Sequence, residues 1–183
     1  MENTMTNKTV FDIKSQVCSI ILSSNDFLEN KGYEIDFKHK DEFSERLSNV
    51  FHWLFFKCGI ERFKFELGVF LNNYDELIIS RWFQVKNGEL KDLGGDVGIK
   101  KFYFDQRCRG IDVGRSMFIL DVTFSEEFSN YWFKLESYSE KSNILYGIEK
   151  FIRSQLLVSY IGVNPGGVHF EIPIKFEVVK YLI

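Results

Sequence analysis

From Thr9 onward the apolar residues Val10, Ile13, Val17, Ile20 and Ile21 recur at intervals of three and four. That spacing puts them on one stripe of a helix, and Thr9 supplies a cap, so the pattern predicts an amphipathic helix reaching about Asn30. Gly32 stops it. Tyr33, Ile35 and Phe37 then alternate with Glu34, Asp36 and Lys38, the period of a half-buried strand. The charged stretch 39–45 predicts a turn, and residues 47–56, aromatic on both faces, predict a second strand. After a turn at Cys58-Gly59, Phe63, Phe65, Leu67, Val69 and Leu71 share one face of a third strand, with Lys64 and Glu66 on the other.

The second half of the chain reads as follows. Asn73 with Glu76 resembles a capping box and predicts a short helix over 74–83, although Ile78, Ile79 and Trp82 also tolerate a strand. Asn87-Gly88 and Gly94-Gly95 flank a polar stretch, after which residues 99–104 and 116–124 predict two more strands. Ser125 before Glu126 and Glu127 is a helix start, with Phe128, Tyr131, Trp132 and Leu135 on one face. Ile144, Ile148, Phe151, Ile152 and Leu156 continue the period, so a long helix or a bent helix pair is predicted over 125–160. The loop at 164–167 ends it, and residues 168–178 alternate into a last strand in which Pro173 favours an edge. The elements together predict one α+β domain spanning 1–183, with residues 1–8 frayed. Its sheet is mostly antiparallel, of five or six strands, covered by an N-terminal helix and a C-terminal helical segment.

Composition sharpens this picture towards packing. Phe fills 20 of 183 positions and aromatics reach 17 %, whereas His and Cys number three each. A buried Phe contributes roughly 1.5–3 kcal/mol, so such a core needs no disulfide or metal staple. The balance of 23 Lys and Arg against 26 Asp and Glu lacks the basic excess that a phosphate backbone demands, which argues against direct nucleic-acid binding. Cys18, Cys58 and Cys108 are too widely spaced for a metal pair and too few for a disulfide set, which points to a reducing compartment. The polar stretch at 1–9 and the absence of a long apolar run point to a cytoplasmic chain with no membrane association.

Candidate chemistry is sparse. Gly94-Gly95-Asp96-Val97-Gly98 lacks the Lys-Ser/Thr ending of a Walker loop and the strand and helix of a Rossmann turn, and reads as a surface turn. The densest polar stretch runs from Asp105 through Arg107, Arg109 and Asp112 to Arg115 and Asp121. Asp105, Asp112 and Asp121 are the candidate metal ligands of a nuclease or phosphoesterase, but no Glu-x-Lys is suitably placed on a neighbouring strand, and solvated ion pairs around a turn are the favoured reading of the stretch. His52 lies between aromatics and His169 beside a glycine turn, neither with an evident carboxylate partner. No catalytic residue, cofactor or metal is therefore expected.

The order of a helix, Gly32-Tyr33, an acidic-basic turn, an aromatic strand with His52 and Trp53, and Phe65-Glu66-Leu67-Gly68-Val69 resembles that of small bacterial immunity proteins. The resemblance spans residues 32–71 and rests on pattern, so no family residue is carried across. It implies a cytoplasmic protein that binds and neutralises one toxin, typically a nuclease delivered by a neighbouring cell in contact-dependent or polymorphic toxin systems. The expected function is thus an immunity or antitoxin-type inhibitor with a protein partner, such as a basic toxin domain. A metal-dependent nuclease and a structural homo-oligomeric subunit are the alternatives. Two acidic helix starts near large aromatics nominate Asp75, Glu76, Trp82, Glu126 and Glu127 as partner-binding residues.

Overall fold

The computed structural model describes residues 15, 19, 26–30, 32–71, 75–87, 89–101 and 116–180. Its architecture is α+β, with a six-stranded antiparallel sheet ordered β4-β3-β2-β5-β7-β6 and a separate two-stranded sheet of β1 and β8. Residues 15, 19 and 26–29 are helical, and Leu28 is fully buried in the core, so the described part of the N-terminal segment agrees with the helix read from its period. The rest of that helix lies outside the described residues.

The charged turn and the aromatic strand predicted over 39–56 are instead one helix, α1 (Lys40–Cys58). Leu47, Val50, Phe51, Leu54 and Cys58 are its buried apolar positions, and their spacing of three and four is helical. Asp41 and Glu42 in its first turn and Lys57 in its last complement the helix dipole. Gly59, at φ 73°, ends it with its N–H donating to the Phe55 carbonyl, in a backbone region that other residues avoid.

β1 (Tyr33–Phe37) forms where the alternation predicts it, but pairs with β8 (Phe176–Lys180) rather than opening the main sheet. The main sheet is built on β2 (Ile60–Phe70), flanked by β3 (Asp75–Lys86) and β5 (Ser116–Phe124). The short helix over 74–83 is therefore a strand, while Asn73 lies outside the described residues. β4 (Glu89–Lys101) pairs along β3 through the stretch expected to be a turn. A bulge at Trp82 and Phe83 lets it do so, with Gly94 at φ 92°. Arg81 and Asp92 close the bulge with an ion pair of 2.5 Å. The hydrogen bond from Arg81 is the main cause that holds the Asp92 carboxyl below its usual range, against the opposing effect of its partial burial.

The 125–160 segment is the bent pair, α2 (Glu126–Lys134) and α3 (Tyr138–Gln155), capped by Ser125 and Ser137. β6 (Tyr160–Asn164), which the alternation did not reveal, forms a hairpin with β7 (Gly167–Ile174) around Asn164-Pro165-Gly166. The predicted last strand breaks at Lys175 into β7 and β8. Pro173 sits beyond the end of the β6 pairing, where only β5 flanks it, so its missing N–H disrupts no second ladder.

α1 and α2 meet the same face of the sheet, and α3 packs on α1. Phe51 of α1 packs on Phe63, Phe128 of α2 packs on Phe124, and Phe151 of α3 stacks on Trp53 of α1 at 4.2 Å. Phe63, Phe65, Phe83 and Phe118 form the floor beneath them, each at most 3 % exposed. No described helix is long and apolar enough to cross a membrane.

Candidate functional site: the open face of the sheet

The inward alternation of Phe63, Phe65 and Leu67 in β2, Phe118, Leu120 and Val122 in β5, and Val168, Phe170 and Ile172 in β7 fixes what points the other way. The register then aligns a row across the opposite face. Trp82 of β3 pairs with Lys64 of β2, Lys64 with Asp121 of β5, Asp121 with His169 of β7, and His169 with Gly162 of β6. Cross-strand neighbours on one face lie about 5 Å apart, close enough for each side chain to contact the next.

The contacts follow that row. The Lys64 ammonium lies 5.2 Å from the centroid of the Trp82 ring and 3.1 Å from Glu66. Across from it, His169 Nδ1 is 2.5 Å from Asp121 Oδ1, and its Nε2 is 3.1 Å from Glu171 Oε1. Tyr160 of β6 meets the His169 ring edge to face at 5.8 Å. Gly162 leaves room for that ring, because a Cβ there would come within 3.3 Å of the tyrosine hydroxyl. Partial burial pulls the His169 pKa down, but hydrogen bonds from the imidazole to Asp121 and Glu171 and their charges outweigh it and raise the pKa above its ordinary value.

This geometry limits the chemistry. Two carboxylates can both be satisfied only by an imidazolium donating from both nitrogens, which leaves no lone pair for a general base. Among the described residues, no group of three His, Cys, Asp or Glu is arranged to hold a metal ion. Cys58 is buried, and burial pushes its thiol up to about 12, so it is not an activated nucleophile. Asp105 and Asp112 lie outside the described residues. Asp121, the third proposed metal ligand, is engaged with His169.

The nominated partner-binding residues do not form one patch. Glu76 and Trp82 share the open face, but they lie six positions apart along β3, about 20 Å of strand. Glu76 is only 5 % exposed, with its carboxylate over Gly68, while Trp82 is 37 % exposed. Asp75 begins β3. Glu126 and Glu127 are exposed in the first turn of α2, beyond the end of β5 that is level with Gln84 across β2 and away from Glu76. Sequence reasoning treated His169 as isolated, and this is corrected by its pairing with Asp121 and Glu171. Compared with protein-family models, with curated proteins and with solved structures, the chain matches none.

Proposed function

We propose that this protein is a binding module that engages another protein through the open face of its sheet, and that it acts as an inhibitor of the immunity type. The observation that carries the reading is the cross-strand row of Trp82, Lys64, Asp121 and His169 on the face opposite the described helices. Aromatic groups at Trp82 and Tyr160 surround half-buried ion pairs, a composition suited to interface anchors set among orienting charges. A toxin domain is the proposed partner class, on the strength of the resemblance of residues 32–71 to immunity proteins, and a nuclease with a basic surface is the first candidate to try.

The test is direct binding of the pure protein to candidate toxin domains, with toxin activity measured alongside. The reading predicts a saturable complex that silences the toxin and that Trp82→Ala weakens. Turnover of RNA, DNA or a cyclic nucleotide by the pure protein, abolished by Asp121→Asn, would replace the inhibitor with an enzyme.

A further inference from the structure

A recess lies on the helix-covered side, where the turn after β1, the start of α1, the end of α3 and the end of β7 converge. Its volume is about 290 Å³, near the lower end of ligand sites, which run from about 300 to 1,000 Å³. Phe37, Phe43, Leu156, Ile172 and Ile174 give it apolar walls. Leu157 at its rim is 83 % exposed, an unusual position for a large apolar side chain beside an open recess.

The rim is cationic. Lys38, Arg46 and Lys175 line it with His39, and among the described lining residues Glu42 is the one acid, with Asp36 beside it paired to Lys38. Two of these cations make surface pairs, Lys38 with Asp36 at 2.8 Å and Arg46 with Glu42 at 2.8 Å. Their side chains are between 40 % and 64 % exposed, so water screens the pairs and a ligand can compete for the cations. His39 precedes α1 at φ 58° and contributes no side-chain cap, so the helix start at this rim is not sealed by its own N-cap residue.

We propose that this recess binds a small carboxylate with an apolar tail, the tail against Phe43, Leu156 and Ile172 and the carboxylate at Lys175, Lys38 and Arg46. Apolar walls alone would accept any hydrophobe of the right size. The cationic excess favours the anion, because a carboxylate meets the ammonium and guanidinium groups with opposite charge, whereas an alcohol offers only a neutral acceptor. The site stands apart from the open sheet face and does not depend on the binding function proposed there.

The experiment is an amide-resonance titration of the full chain with octanoate, and in parallel with octanol and octylammonium. The expected result is saturable shifts at Lys38, Phe43, Leu157 and Lys175, with octanoate bound about tenfold more tightly than octanol and octylammonium weakest. Lys175→Glu and Arg46→Glu, both surface changes, should each lower octanoate affinity without altering octanol. Equal binding of octanoate and octanol, shifts centred elsewhere, unchanged affinity in both variants, or no saturable binding would each overturn the proposal.

Discussion

At the scale of single residues, the fold rests on interlocked rings. Phe65 is fully buried, with ring centroids 5.2 Å from Phe63, 5.8 Å from Phe83 and 5.4 Å from Phe118. Phe65→Ala removes contacts with three strands at once and should cost about 3–5 kcal/mol in urea unfolding. A loss below about 1 kcal/mol would mean that the surroundings collapse into the gap. His169 sets a different dependence, on pH. Its folded pKa is raised, so its pairing stabilises fully below the unfolded value of about 6.5 and is lost as pH rises through the folded value. The fold should therefore lose some stability as pH rises above about 6.5 and through the raised folded value. His169→Gln should flatten that slope, and ring-proton titration should place the folded midpoint above that of an unfolded peptide.

At the scale of elements, the junction of α1, β2 and α2 depends on Ser125. Its hydroxyl accepts from the Phe128 amide at 3.2 Å and donates to the Cys58 carbonyl at 2.8 Å, while its own amide donates to Gly59. Ser125→Ala deletes a cap and a bond between elements and should cost about 1–2 kcal/mol, measured by denaturant unfolding. Helix starts of this kind are legible because a cap acts within four residues, and Ser125 was read correctly. The failure at α1 is also physical. Leu47, Val50, Phe51 and Leu54 carry a helical period, but Phe51, Trp53, Phe55 and Phe56 raise strand propensity, and burial against the sheet decided for the period. In β3 the local cap signal pointed to a helix, and pairing with both β2 and β4 overrode it. The site was least legible. Alternation alone turns Asp121 and His169 outward, but 48 residues separate them, and only the β5–β7 register shows that they meet.

At the scale of the whole molecule, described helices on one face and a half-exposed charged row on the other divide the described surface into regions with separable roles. If the open face is the interface, groups on it and groups away from it should respond differently. Trp82→Ala and Tyr160→Ala remove aromatic anchors and should chiefly speed dissociation of the toxin complex. Asp121→Lys places a cation beside Lys64 and His169 and should slow association with a basic partner, more so at low salt, because exposed charges are screened beyond about 10 Å at 0.1 M. Glu126→Lys and Glu127→Lys change charge by the same kind of step beyond the end of the row, and should alter both rates by less than about twofold. Surface plasmon resonance at two salt concentrations reads all five variants. If the α2 charges control association while Trp82, Tyr160 and Asp121 leave it untouched, the interface lies at the helix start and the open face has another use.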